Sequence, residues 1–156
     1  MSDSVSVVRS PVTQGRRTVK KVPFVELAGG RVQGVISSGS DIKRVYVAWL
    51  EADTGKFYCC TNNNRPCGGQ RADGCKHLHQ MINEAMLQFS PATVATYLGL
   101  SPDEDLCDAV QLTSQMTMTL EKESPGVVFS RFLSYLRYCE LSAPSGSVPE
   151  MNWFAS

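Results

Sequence analysis

The hydrophobic positions in the first half of the chain follow the two-residue period of β-strands. Between residues 45 and 50 both sets of alternating side chains are apolar, which is typical of a strand covered on both sides. Short turns that contain glycine separate this strand from its neighbours, and such turns join antiparallel strands. The pattern predicts four antiparallel strands, at residues 22–27, 32–36, 42–52 and 56–60.

From residue 77 onwards the apolar side chains recur every three or four residues, which is the period of an amphipathic helix. Serine–proline pairs, which are common helix starts, then recur along the chain. They predict helices at residues 77–89, 90–99 and 101–112, and a last helix that begins at residue 124. Residues 115–120 alternate instead, which favours an edge strand and leaves a continued helix open.

The stretch between the predicted sheet and the first helix, residues 58–79, follows neither period. It holds four of the six cysteines and both histidines of the chain, and turn-forming residues separate them. Structural zinc prefers cysteine sulfur and histidine nitrogen, and a bound metal can replace a missing core. The sequence therefore predicts a zinc knuckle at this place.

We predict one structural Zn²⁺ ion with four ligands: Cys60, Cys67, Cys75 and His77. Adjacent residues of a strand point to opposite faces, so Cys59 and Cys60 are not expected to bind together, and Cys60 is closer to the loop. Cys75 and His77 flank the start of the first helix, where backbone N–H groups favour a thiolate. Cys59 and His79 are the rival ligands, since His79 lies four residues after Cys75 on the same helical face.

These elements predict an α+β fold, in which a small antiparallel β-sheet is followed by the zinc knuckle and a bundle of three to four helices. With 156 residues, the chain is long enough for one domain with tails. We predict a flexible basic N-terminal arm (1–21), a sheet with the zinc-binding unit (22–89), a helical part packed on the same domain (90–141) and a C-terminal tail (142–156).

The run Gly74-Cys75-Lys76-His77-Leu78, together with the cysteine pair at the end of the last strand, resembles the SWIM zinc-finger family. In that family a C-x-C pair ends a strand and a C-x-H pair begins a helix; here the first two cysteines are adjacent. The resemblance covers about residues 45–89. It implies that Cys75 and His77 form the second ligand pair, and that Cys60 with Cys59 or Cys67 forms the first. It also implies a strand–strand–helix unit around zinc that binds DNA or protein partners.

Charge is distributed unevenly, although the formal net charge is zero. Residues 1–76 carry 12 of the 15 basic residues against 6 acids, so the half with the knuckle is basic. A basic surface can face a polyanion, or the two halves can neutralise each other in the fold. The candidates for nucleic-acid contact are Lys43, Arg44, Lys56, Arg65, Arg71 and Lys76. The pI of about 6.7 is unlike that of the strongly basic domains that bind nucleic acid.

No catalytic motif accompanies the cysteines, and four ligands would close the zinc site, so we expect no enzymatic activity and no small-molecule substrate. We interpret the chain as a zinc-binding module that acts as a protein–protein interaction adaptor in a larger complex. The alternative is DNA binding through the knuckle and the N-terminal arm. The tail residues Met151, Trp153 and Phe154 could meet a partner.

The sequence contains no apolar run long enough for a membrane span and no visible secretory signal. We therefore expect no membrane association and a cytoplasmic location, where thiols stay reduced or bind metal. Processing of the N-terminus would weaken that expectation and would favour disulfides instead.

Overall fold

The computed structural model describes residues 21–38 and 44–142, so nearly all of the predicted arm and tail lie outside the described residues. The four predicted antiparallel strands are present as β1 (Phe24–Ala28), β2 (Arg31–Ser37), β3 (Val45–Glu51) and β4 (Lys56–Thr61). β1 and β2 form a hairpin closed by Gly29 and Gly30, whose φ angles are 61° and 76°. A two-residue turn with two positive φ angles favours glycine at both positions.

A fifth strand, β5 (Thr119–Leu120), lies beside β4, and the strand order is β1-β2-β3-β4-β5. It is the end of the alternating stretch at 115–120. Its pairing with β4 is parallel, because the chain leaves β4, passes through three helices and returns in the same direction. The backbone N–H of Thr119 donates to the carbonyl of Gly55 at 2.9 Å. The sheet is therefore mostly antiparallel, as predicted, with a short parallel edge.

Four helices follow the first four strands: α1 (Lys76–Phe89), α2 (Pro91–Tyr97), α3 (Ala109–Thr113) and α4 (Gly126–Ser142). The third predicted helix begins much later than residue 101. The Asp103 carboxylate accepts the backbone N–H of Asp105 at 3.0 Å, a local bond that competes with helix formation. Asp108 then caps α3 by accepting the N–H of Gln111 at 2.8 Å.

The helices cover both faces of the sheet and do not form one bundle. On one face, which we call the α1 face, the core joins the sheet to α1, α2 and α3, for example at Val32, Leu50 and Phe57. On the other, the α4 face, Phe24 and Val47 belong to a core shared with Val128, Phe132, Tyr135 and Leu136 of α4. This arrangement explains why β3 is apolar on both of its faces.

α1 crosses β2 at Gly34. A Cβ atom there would lie 2.3 Å from the carbonyl oxygen of Phe24 and 3.3 Å from Cγ of Met81. The missing side chain therefore lets the backbone of β1 lie close to Gly34 and leaves room for Met81 of α1 against β2. None of the helices in the described ranges combines the length and apolar character needed to cross a bilayer.

Candidate metal centre

Three cysteines and one histidine meet where β4, the knuckle loop and α1 come together: Cys59, Cys67, Cys75 and His77. All four are buried, and their donor atoms lie within 4.8 Å of one another. Sγ of Cys67 is 3.3 Å from Nδ1 of His77. A tetrahedral zinc ion with bonds of about 2.3 Å keeps its ligand atoms about 3.8 Å apart. The spacing and the donor atoms therefore fit one metal ion, and this Cys₃His set is typical of structural zinc.

Backbone pairing with β4 positions the first two sulfur atoms. The chain turns after Thr61 and comes back beside the strand, so that the N–H of Cys67 donates to the carbonyl of Cys59 at 3.1 Å. The N–H of Cys59 in turn donates to Oε1 of Gln70 at 2.6 Å. Cys59 and Cys67 thus lie side by side on two short antiparallel segments.

The start of α1 supplies the other two donors. Cys75 is the N-cap residue of α1, with φ −148° and ψ 171°, and its Sγ accepts the backbone N–H of Leu78 at 3.4 Å. A cysteine at this position uses its sulfur as serine uses its hydroxyl oxygen, and the N–H groups of the first turn stabilise a thiolate. His77, two residues later, points into the same space.

The thiols of this group have very different pKa values. Hydrogen bonding with the protonated Cys59 lowers the pKa of Cys75 to about 4 and that of Cys67 to about 6. The pKa of Cys59 rises because hydrogen bonding with Cys67 and Cys75 stabilises its protonated form and because the thiol is buried. Burial opposes a charge on His77, but hydrogen bonds to Cys75 and Cys67 outweigh it, so its pKa is raised. The group favours two thiolates near neutral pH, and a cation would stabilise them.

Tyr46 of β3 fixes the orientation of the His77 ring. The two rings are stacked, with centroids 3.8 Å apart and planes 15° from parallel. Tyr46 and Gln70 are the supporting residues that we did not predict from the sequence. For Tyr46 the register of the sheet is a signal: Tyr46 pairs with Thr61, which shares a face of β4 with Cys59. The sequence contains no signal for Gln70.

The structure corrects one predicted ligand, because Cys59 and not Cys60 belongs to the group. Cys60 lies on the α4 face, where it is buried in a cluster with Trp49 and Tyr58. Burial raises its pKa to about 11, so Cys60 is a neutral thiol in an apolar setting. The alternation that separates the two cysteines was predicted, but the choice of the nearer one to the loop was wrong. The knuckle folds back over the α1 face, where the side chain of Cys59 points.

His79, the rival of His77, lies outside the group of four. Its Nε2 atom is buried without a hydrogen-bond partner among the described residues. It lies beside Gly74, since a Cβ atom on that glycine would come within 3.3 Å of it. The structure therefore brings together three of the four predicted ligands, Cys67, Cys75 and His77, and adds the rival Cys59.

The basic residues predicted to contact nucleic acid do not all lie around the knuckle. Arg65, Arg71 and Lys76 are exposed on the knuckle loop and the first position of α1, and Arg44 is exposed just before β3. Lys56 lies at the opposite end of β4 from the cysteines and forms an ion pair with Glu121 at 3.5 Å. Lys43 lies outside the described residues.

Comparisons with protein-family models, with curated proteins and with solved structures find no match for this chain. The finding at this site is thus a buried group of three cysteines and one histidine that could hold one metal ion. Membership of the SWIM family remains a prediction from the Cys-Lys-His motif.

Proposed function

We propose that this chain is a non-catalytic module in which one structural zinc ion joins β4, the knuckle loop and α1. The observation that carries the proposal is the convergence of four buried donor atoms within 4.8 Å. They come from residues 59 to 77, a segment with few apolar side chains of its own. A metal in that position would replace the core that the segment lacks. The strand, loop and helix around it give a SWIM-like unit.

Four protein ligands support a structural and not a catalytic role for the metal. A catalytic zinc site keeps one position open for water or substrate, whereas four protein donors fill a tetrahedron. All four of these residues are buried, and the aromatic ring of Tyr46 covers His77. The pKa of Cys75 is low because hydrogen bonds stabilise its thiolate, which suits a metal ligand.

Elemental mass spectrometry of the untagged protein tests the zinc site directly. We expect one zinc per chain, and chelation should free three additional thiols for titration. Cys75→Ser should lose the metal and destabilise the domain, since a structural zinc contributes on the order of 10 kcal/mol in isolated fingers. Cys107→Ser is the matched control, because Cys107 is exposed and far along the chain. A metal-free Cys75→Ser protein with an unchanged melting temperature would contradict the proposal.

Within this module we propose an adaptor role, in which the zinc-stiffened domain presents a helical surface to a protein partner. Two exposed apolar residues support it: Leu87 of α1 and Val110 of α3. The side chain of Asn83 holds α3 against α1 by accepting the N–H of Ala109 at 2.7 Å. Exposed acids at residues 103–105 lie in the segment that leads into α3, which would favour a partner with basic residues.

Capture of proteins from a lysate of the source cells, on immobilised full-length chain, tests the adaptor role. A specific partner should be lost from Leu87→Glu and retained by Leu133→Glu, because Leu133 is also exposed but belongs to α4. Both variants must keep their zinc. A partner that Leu87→Glu still captures would show that this surface is not the contact.

Nucleic-acid binding is the second candidate function, and the exposure of Arg65, Arg71 and Lys76 on the knuckle favours it. Contacts of these side chains with phosphates would give an affinity that falls steeply with salt. Binding to mixed-sequence DNA at low salt should disappear in the triple alanine variant. Lys56→Ala is the control, because Lys56 is paired with Glu121 away from the knuckle. Binding that survives the triple variant would exclude the knuckle as the contact surface.

A further inference from the structure

Two of the four metal ligands, Cys59 and Cys67, face each other directly across a pair of antiparallel segments. The N–H of Cys67 donates to the carbonyl of Cys59 at 3.1 Å. The next pair along the two segments, Cys60 and Pro66, forms an antiparallel β-bridge. Cys59 and Cys67 are therefore opposite each other in register, and the side chains of opposite residues point to the same face.

This register brings the two cysteines within the range of a disulfide bond. Directly opposite residues of antiparallel segments have Cα atoms about 4.5–5.5 Å apart. Disulfides join cysteines whose Cα atoms are about 4.4–6.8 Å apart. The Sγ atoms of Cys59 and Cys67 belong to a group of donor atoms that all lie within 4.8 Å of one another. A bond between these two sulfur atoms therefore needs only a small movement of the side chains and of the loop.

The loop that carries Cys67 has room for that movement, whereas the start of α1 does not. The two glycines at 68–69 are exposed, and a Cβ atom on either would contact nothing within 4 Å. Cys75, in contrast, is the N-cap of α1, and its Sγ accepts the backbone N–H of Leu78. The glycine before it is packed, since a Cβ atom on Gly74 would lie 3.1 Å from Cδ2 of Leu78. Cys75 is therefore held in place, while Cys67 lies beside open loop residues that a small oxidant can reach.

We propose that Cys59 and Cys67 form a redox-modification site, at which hydrogen peroxide converts two zinc ligands into a disulfide and releases the metal. The inference rests on the zinc site proposed above. The thiolate sulfur of Cys67 attacks one peroxide oxygen, so that an S–O bond forms, the O–O bond breaks and the sulfur is oxidised to a sulfenic acid. The departing hydroxide takes up a proton and becomes water. The thiolate of Cys59 then attacks the sulfenic sulfur, the S–S bond forms, and the second hydroxide leaves and becomes water in the same way.

The disulfide would separate α1 from the rest of the metal centre. Only Cys75 and His77 of the group then remain as donors, and two donors do not fill the tetrahedron that structural zinc requires. The disulfide keeps β4 joined to the knuckle loop, but the link from both of them to the start of α1 is lost. A dithiol reduces the disulfide, because it lies beside exposed loop residues, and zinc then binds again.

Titration of the zinc-loaded full-length chain with hydrogen peroxide tests this site. A chromophoric chelator should record one zinc ion released for each disulfide formed, and peptide mapping by fragmentation should find Cys59 linked to Cys67. Reduction with dithiothreitol in the presence of zinc should restore the metal content. A disulfide that contains Cys75, oxidation of the cysteines without release of zinc, or retention of zinc in excess peroxide would each overturn the proposal.

Cys60→Ser is the matched control, because Cys60 is adjacent to Cys59 but belongs to the aromatic cluster on the α4 face. It should release zinc and form the same disulfide as the unmodified protein, as should Cys107→Ser, which removes an exposed thiol. Loss of the disulfide from Cys60→Ser would assign the bond to Cys60 and overturn the pairing of Cys59 with Cys67.

The same measurements distinguish this inference from the zinc site on which it rests. A chain that is isolated without zinc, but in which peroxide still links Cys59 to Cys67, would support the pairing of the two cysteines and contradict the proposed metal. A chain that contains zinc, but in which peroxide does not link them, would contradict the pairing and support the metal.

Discussion

The two faces of the sheet are stabilised in different ways. On the α4 face the contacts are aromatic and aliphatic: the ring of Phe24 lies 5.8 Å from that of Phe132 and 5.4 Å from that of Tyr135. On the α1 face an apolar core of similar kind ends in a group of three thiols and an imidazole. That group favours two thiolates in a buried position, which is costly without a cation. The α4 face therefore combines packing with one ion pair, Arg131 with Glu26, whereas the α1 face ends in a group that could hold a metal ion.

The difference between the two faces is also visible in two adjacent residues, Cys59 and Cys60. They are adjacent in β4, both are buried and both are free thiols, yet they belong to different faces. Cys59 shares hydrogen bonds with Cys67 and Cys75, whereas Cys60 touches aromatic residues. The role of each cysteine is decided by what covers its face, and not by its residue type or its place in the sequence.

The largest difference is expected between Cys59→Ser and Cys60→Ser. The first should abolish zinc binding and cost a large part of the stability that the metal supplies, on the order of 10 kcal/mol in isolated fingers. The second buries a hydroxyl in an apolar cluster and should cost about 1–3 kcal/mol, with zinc retained. Elemental analysis and urea unfolding distinguish them. Loss of zinc from Cys60→Ser alone would reverse the assignment of the two cysteines.

The next largest effect should come from the α4 face. Phe132 is fully buried there, so Phe132→Ala should destabilise the domain by about 3–5 kcal/mol through lost burial and a cavity. Zinc stoichiometry of the folded protein should not change, because the sheet separates Phe132 from the metal centre. Elemental analysis measures the zinc stoichiometry, and thermal unfolding with and without a chelator measures the stability. If chelation no longer affected the stability of this variant, the two faces would not be independent.

A smaller effect is expected from the ring that orients His77. Tyr46→Leu removes the stacked partner and should weaken zinc binding about tenfold, as loss of a supporting residue commonly does. Tyr46→Phe keeps the ring and should keep the affinity, which makes it the matched control. Competition with a chromophoric chelator provides the affinities. Equal affinities of the two variants would show that the stacking does not orient the ligand.

The smallest effect is expected in the number of protons that are released when zinc binds. At pH 7 Cys75 and Cys67, with pKa values of about 4 and 6, are already thiolates, whereas Cys59 holds its proton. The three cysteines should therefore release about one proton on zinc binding, and not the three expected of ordinary thiols. Calorimetry in buffers of different ionisation enthalpy counts them.

The same pKa values determine whether zinc affinity rises or falls with pH. A lowered thiol pKa contributes stability that is present above its unfolded value and is lost as the pH falls through the folded value. Zinc affinity should thus already fall about tenfold per pH unit near pH 7, because Cys59 gives up its proton on binding. The decline should become steeper below about pH 6, where Cys67 takes up a proton, and steeper again as the pH approaches 4, where Cys75 does. An affinity that is constant from pH 7 to pH 4 would contradict this order.

Much of the fold could be predicted from local pattern. Two-residue alternation and glycine turns located β1 to β4, and a three- to four-residue period located α1. These signals are contained in short segments, so no knowledge of the whole molecule is needed. The predicted start of the helix at residue 101 was wrong because the Asp103 carboxylate accepts the backbone N–H of Asp105, and Asp108 caps the helix instead. The clustering of cysteines and histidines at 58–79 located the candidate site for the same local reason.

The sequence by itself determined that Cys59 and Cys60 point to opposite faces of β4, since alternation is a property of the strand alone. It could not determine which of them meets Cys75 and His77. That depends on the face over which the chain passes after β4, and this is decided by the packing of α1 on β2 and β3, where Gly34 allows a close approach. The placement of α4 on the opposite face was decided in the same way, because both faces of β3 are apolar and only the complete set of helices shows which helix covers each one.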